Sequence, residues 1–355
     1  MTYRNFDDFS KRWNLDTGPL APVVHAHPFR LNSYFEGLIR TAGDPIWRQT
    51  VPDIREISDL SGFDDPLAEE SLSPVPNLVH RYPNRVLWLI SDRCAVHCRF
   101  CTRKRKWGEG PSRALEQDIG PALEYIAGNR DIQDVLLSGG DPLLLPTARL
   151  REILQKLRAI EHIQIIRIGT RVPCALPRLV TPELTALLGS FHPVYVNIHF
   201  NHPEELTPES EKACALLANA GIPLGSQTVL LRGVNDDAAT LGTLFHRLLA
   251  LRVRPYYLMQ MDLTRGTAHF RTPVATGLRI LRTLRNRISG LAMPHFVIDL
   301  PGGHGKVAMT PRMVREISPE RLVCENYLGK LCSYPLLDGE AEELALLLDG
   351  DGPKA

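Results

Sequence analysis

From Val86 onward, short apolar runs rich in β-formers alternate with amphipathic segments of helix length: VLWLIS, DVLLSG, IQIIRIGT, VYVNIHF, SQTVLL, YYLMQM and HFVIDL. Runs that are apolar on both faces and joined by helical crossovers indicate parallel βα units. The crossovers are legible too. TARLREILQKLRAI spaces its leucines and isoleucines at three and four residues, and TPESEKACALLANAG opens on a capping Thr207 and stops at Gly221. Ahead of this region, residues 1–80 alternate short helix-like stretches with Pro-containing turns. Behind it, a Leu-rich EAEELALLL precedes a polar DGDGPKA. The pattern predicts an α/β protein with an N-terminal helical cap (1–80), a partial (β/α)6-type barrel (81–306) and a short C-terminal extension (307–355). Chemistry is expected where strands run into loops at their C-terminal ends.

Composition narrows the classes. With 44% apolar and 23% charged residues over 355 positions, the chain reads as a soluble globular protein. Lys plus Arg is 41 against 40 Asp plus Glu, so nothing draws the whole chain to nucleic acid or an acidic membrane. No run approaches the ~20 apolar residues of a bilayer span. The opening MTYRNFDDFSKRW lacks the apolar stretch of a signal peptide, so the expected compartment is the cytoplasm. Seven cysteines without a secretion signal argue against a disulfide framework and bring metal or redox chemistry forward.

Cys94, Cys98 and Cys101 form a C-x3-C-x2-C triplet directly after VLWLIS. Three thiolates in a tight loop can hold three irons of a [4Fe–4S] cube and leave the fourth open. The alternative is a zinc knuckle, but a structural zinc normally closes with four protein ligands, and His97 lies inside the loop where strain opposes its joining them. The iron–sulfur reading is favoured, and the triplet resembles the signature of the radical S-adenosylmethionine (SAM) superfamily. Cys174, Cys214, Cys324 and Cys332 form no comparable cluster.

Between Asp65 and about Lys306 the segments SPVPNLVHRYPNRVLWL, CAVHCRFCTRKR, LLSGGDPLLL, HFNHPEELT, LLRGVND, RPYYLMQMDL, HFRTPV and FVIDLPGGHGK occur in the order found in the lysine 2,3-aminomutase family, which the chain closely resembles. The resemblance implies a [4Fe–4S] cluster on Cys94, Cys98 and Cys101, with SAM and pyridoxal 5'-phosphate as further cofactors. It implies that Lys306, which taken alone is more often a phosphate contact or a solvated turn residue, carries pyridoxal phosphate covalently, with Arg81, Tyr82 and Arg85 of HRYPNR contacting that cofactor. Gly139, Gly140 and Asp141 would meet the methionine amino group of SAM, with Gln227 and Arg232 as further candidates for the same pocket. Arg103 would pair with a substrate α-carboxylate, and Asp262 with Asp299 would bind a distal ammonium. The activity so implied is migration of the α-amino group of L-lysine to C3, with a reducing partner such as flavodoxin or ferredoxin.

Three departures matter. Zinc-binding members have a Cys after the VN motif and a cysteine cluster near the C-terminus, whereas this chain has Asp237 and only Cys324 and Cys332 in those regions. No structural zinc is expected, which puts the usual subunit arrangement in doubt although a homo-oligomer remains the expectation. His304 stands where Gly is usual, either as a harmless change or as an extra donor or base near Lys306. Because two carboxylates suit any distal cation, arginine or a modified basic amino acid, with elimination or hydroxylation as the outcome, is the alternative. A non-catalytic zinc- or cluster-binding protein would explain the cysteines but neither Lys306 nor the paired aspartates.

Overall fold

The computed structural model describes residues 3–107 and 118–349, so Met1, Thr2 and the terminal polar residues lie outside the described residues. Two short strands, β1 (Tyr3–Arg4) and β2 (Leu31–Asn32), pair beside the N-terminal helices. The centre is a nine-stranded sheet built from β3 (Leu78–Tyr82), β4 (Arg85–Ser91), β5 (Asp134–Gly139), β6 (Ile165–Thr170), β7 (Val194–His199), β8 (Leu224–Leu230), β9 (Val253–Gln260), β10 (His295–Leu300) and β11 (Gly305–Ala308). Neighbours lie in chain order, and β4 through β10 run parallel.

Each apolar run read from the sequence is one of these seven parallel strands, and each of the six connections carries a helix: Gly120–Gly128, Thr147–Arg158, Pro182–Gly189, Pro208–Asn219, Ala238–Ala250 and Val274–Leu284. The (β/α)6 rhythm is therefore present. What the pattern missed is the pair of antiparallel strands at the two edges, β3 against β4 and β11 against β10, which leave the barrel open. Both are short and carry polar residues, so they lack the apolar signature of a buried parallel strand. Both also bring site residues.

The outward faces of the strands are sealed by the helices. Ile153, Leu154 and Leu157 of one crossover and Val135, Leu137, Ile166 and Ile168 of β5 and β6 are fully inaccessible, each such side chain contributing about 1.5–3 kcal/mol by burial. Thr207 caps its helix by accepting from the Ser210 amide, and Gly221 ends the segment with φ +77°, as the sequence predicted. In the N-terminal cap, the rings of Phe9, Trp13, Phe29 and Trp47 meet at centroid distances of 5.1–6.1 Å. Beyond the barrel, β12 (Val314–Ser318), β13 (Arg321–Glu325) and β14 (Leu331–Pro335) form an antiparallel sheet followed by a helix at Glu340–Asp349. Among the described residues, no helix is long and apolar enough to cross a membrane.

Candidate active site

The cysteine loop leaves the C-terminal end of β4 and is clamped from outside by the N-terminal cap. Backbone amides of His97 and Arg99 donate to the carbonyls of Arg30 and Gln49, each at 2.9 Å. Arg99 is wholly buried, and its Nε and Nη2 donate to the two oxygens of Glu56 at 2.8 and 2.7 Å; Lys104 Nζ donates to the same carboxylate at 2.6 Å. Burial alone would raise the Glu56 pKa, but Arg99 and Lys104 outweigh it and hold the carboxyl below its ordinary value. His97 is not a fourth ligand. Its ring stacks on Trp107 at 4.3 Å, and its Nδ1 lies 2.8 Å from the Pro28 carbonyl.

Burial, then the neighbouring sulfurs, push the Cys101 thiol up to about 11 and the Cys94 thiol well above its ordinary value. Cys94 and Cys101 thus lie where burial and neighbouring sulfurs disfavour the free thiolate, a cost that a bound metal's positive charge would offset. Among the described residues no three His, Cys, Asp or Glu side chains are close enough to share a single ion. The donor set fits a cluster that spreads its ligands over several irons.

Beside this loop, the GGDP turn ends β5. Gly139 has φ +120°, and a Cβ there would collide with the Ser91 carbonyl; one at Gly140 would collide with the Arg93 backbone. Both glycines thus permit a close approach of this turn to the backbone that leads into the cysteine loop. Asp141 is buried and accepts from Thr170 Oγ1 (2.6 Å), the Leu143 amide (3.1 Å) and the Arg171 amide (2.7 Å). Burial outweighs these bonds and raises its carboxyl to about 6. Arg171 is a residue that motif reading passed over. It reaches from the end of β6 to Cys98 Sγ at 2.6 Å.

The second half of the site lies on the opposite edge of the sheet. Asp299 and Lys306 are cross-strand partners in the β10–β11 hairpin, and the Lys306 ammonium is paired with Asp299 Oδ2. Arg81, on edge strand β3, donates to Asp299 Oδ1 at 2.7 Å and to the Leu67 carbonyl at 3.1 Å. Arg81, which the resemblance assigns to the cofactor, is engaged here by the Asp299 carboxylate. Tyr82 accepts from the Lys306 amide at 2.9 Å, and the Arg85 guanidinium lies 3.9 Å over the Tyr82 ring. Burial first, then the Asp299 charge, raises Asp262 to about 7, while Lys306 and Arg81 oppose the rise. His304 is exposed at the turn, with its ring against Gly302.

A strap at residues 65–73 joins the two halves. Glu69, 2% exposed, receives Arg103 in a forked pair, with Nε and Nη2 at 2.5–3.0 Å from its oxygens. The neighbouring Pro66 carbonyl accepts from the Gly302 amide at 2.9 Å. Gly303, with φ +79°, lies so close to Leu67 and Leu72 that no Cβ fits. The charge of Arg103 acts on both Glu69 and Cys101, and Glu69 in turn acts on Asp262. The cysteine loop and Lys306 therefore share one end of the barrel, linked by a continuous set of charges. Of the remaining candidates, Gln227 is half-buried on β8 in register with His199 and Tyr257, while Arg232 sits on the exposed turn beyond it, its amide donating to the Phe270 carbonyl at 2.8 Å. Glu56, Glu69 and Arg171 are not legible in the sequence because isolated charged residues carry no spacing signal. Only the strand-end rule pointed toward Arg171, which directly follows IRIGT.

Comparison with known proteins gives the family. A family model described as the radical SAM superfamily matches residues 88–242, and one described as lysine-2,3-aminomutase matches residues 281–346. The L-lysine 2,3-aminomutase of Fusobacterium nucleatum is 50% identical over 308 residues, covering 86% of this chain and 72% of that protein. That of Clostridium subterminale is 45% identical, covering 89% and 76%. The glutamate 2,3-aminomutase of Clostridioides difficile is 39% identical, covering 81% and 68%.

Proposed function

Because the chain belongs to the lysine 2,3-aminomutase family of radical SAM proteins, we propose that it converts L-lysine to β-lysine by moving the α-amino group to C3, an intramolecular isomerisation. The observation that carries this reading is the convergence, at one end of the barrel, of a three-thiol loop, an amine at Lys306 and two carboxylates, Asp262 and Asp299, bridged by Arg103 and Glu69.

A [4Fe–4S] cluster, SAM and pyridoxal phosphate are the cofactors, and when bound they supply one-electron C–H chemistry and an electron-delocalising hold on the amino nitrogen. Cys94, Cys98 and Cys101 hold the cluster. Gly139, Gly140, Asp141, Gln227 and Arg232 form the SAM pocket, in which the glycines keep strand β5 tight against the cluster loop. Lys306, Arg81, Tyr82 and Arg85 receive pyridoxal phosphate, and Arg81 also orients Asp299 beside them.

Arg103 binds the α-carboxylate, its fork fixed by Glu69 on one side. Asp262 and Asp299 select the distal ammonium: with Lys306 engaged by the cofactor, Arg81 and that ammonium together balance the two carboxylates, whereas a substrate side-chain carboxylate would add a third negative charge, so lysine is taken and glutamate refused. Holding both ends of the substrate places C2 and C3 and excludes side reactions. Residues 1–80 act as the cap that clamps the cluster loop, 81–306 as the catalytic barrel and 307–355 as an extension. The protein works in the cytoplasm as a homo-oligomer supplied with electrons by a flavodoxin or ferredoxin.

The test is anaerobic incubation of the reconstituted protein with reductant, SAM, pyridoxal phosphate and, separately, lysine, arginine and glutamate, with product isomers resolved by mass and chromatography. β-Lysine is expected from lysine alone. Turnover of glutamate and neither base would overturn the reading.

A further inference from the structure

We infer that Arg171 tunes the iron–sulfur cluster, raising its reduction potential above that set by the three thiolates alone. The inference rests on the assignment of Cys98 as a cluster ligand and goes beyond it.

Arg171 follows β6, is 8% exposed, and is held at its backbone, at Nη2 and between two rings, while its Nε has no hydrogen-bond partner. Its backbone amide is tied to Asp141 at 2.7 Å. Nη2 donates to Gln49 Oε1 at 2.7 Å and to Glu205 Oε1 at 2.8 Å. The guanidinium carbon lies 5.2 Å from the Phe35 ring centroid and 5.5 Å from that of Phe100. Glu205 is itself immobilised, its other oxygen accepting from the amides of Asn201 (2.6 Å) and His202 (3.2 Å). With Nη2 and the plane of the fork so held, Nη1 is aimed at Cys98 Sγ, 2.6 Å away.

Hydrogen bonds to ligand sulfur and nearby positive charge both favour the reduced form of a cluster, because they stabilise the added electron. A buried cation is costly to maintain. Neutral groups would serve equally well to fill a packing position between Phe35 and Phe100, so the charge itself has a use here. Glu205 contacts the guanidinium and not the sulfur, which makes it an opposing control: it partly cancels the Arg171 charge as the cluster feels it.

The experiment is a potentiometric titration of the reconstituted holoenzyme, with the reduced cluster counted by electron paramagnetic resonance and iron and sulfide assayed on the same samples. Arg171→Gln should lower the potential so that the reduced-to-oxidised ratio at a fixed poise falls about tenfold, equivalent to roughly 59 mV for a one-electron couple. Arg171→Lys, which keeps the charge and loses the fork, should recover part of that shift. Glu205→Gln should move the potential the other way. A role in packing alone would move the two charge removals in the same direction, or move neither while cluster content stayed full, and either result overturns the inference. If Arg171→Gln loses iron, the Arg171→Lys and Glu205→Gln arms decide. A wild-type protein that takes up no iron or sulfide would instead contradict the cluster assignment itself.

Discussion

Asp299 and Lys306 face each other across the β10–β11 hairpin, and the lysine ammonium rests on one carboxylate oxygen while Arg81 holds the other. The carboxylate proposed for the substrate's distal ammonium is thus first held by the chain's own cations. Lys306 must leave it to take up pyridoxal phosphate, and that departure opens an oxygen of the correct charge. In the cofactor-free protein, Lys306→Met should therefore tighten binding of lysine on the order of tenfold, about 1.4 kcal/mol, by calorimetry. Adding Asp299→Asn should remove the gain; equal affinity in wild type and Lys306→Met would refute the exchange.

Asp262 sets a pH dependence. Its carboxyl is raised to about 7 by burial and by Asp299, so below pH 7 it is largely protonated and offers a cation little. Lysine binding should strengthen as pH rises through 7, by at most about tenfold per unit on the acid side, and level off above. Asp262→Asn should flatten the profile of the dissociation constant; a wild-type constant unchanged between pH 6 and 8 would contradict this.

Glu69 orients Arg103 by a forked pair. Glu69→Gln keeps the shape but weakens the charge-assisted bonds, each worth roughly 1.5–3 kcal/mol. The expected result is a KM for lysine raised about tenfold with kcat changed little, since uniform binding is what is lost. Glu69→Asp should not restore it, because the shorter side chain cannot span the fork.

Glu56 neutralises two buried cations, Arg99 and Lys104. Glu56→Ala strands both, at a cost of about 3–5 kcal/mol, and loosens the loop between Cys98 and Cys101. Urea denaturation should show that loss, with iron content falling in parallel. A variant of wild-type stability would show that the clamp contributes nothing.

The parallel strands and their crossovers were legible because burial on both faces writes a continuous apolar run, and capping writes Thr207 and Gly221 at fixed offsets. Edge strands β3 and β11 were not, since half-exposed strands of four or five residues carry polar side chains such as Arg81 and Lys306. The cysteine triplet was legible because its ligands lie within eight residues of one another. For His97 the two levels agree: loop strain argues against its ligating beside the cysteines, and in the fold its ring stacks on Trp107 and its Nδ1 meets the Pro28 carbonyl.

Local order and covalent spacing thus specified the strands, the helices, the thiol triplet and the residue types of the site, since each depends on neighbours close along the chain. Pairings between distant segments depended on folding. Arg81 with Asp299 lies 218 residues apart, Arg171 with Cys98 73, and Arg103 with Glu69 34. A charge carries no mark of its partner until the chain brings the two together in a poorly solvated cavity, where an unpaired ion is too costly to remain. That is why the motif around Arg81 carries no sign of Asp299, the carboxylate it meets in the fold.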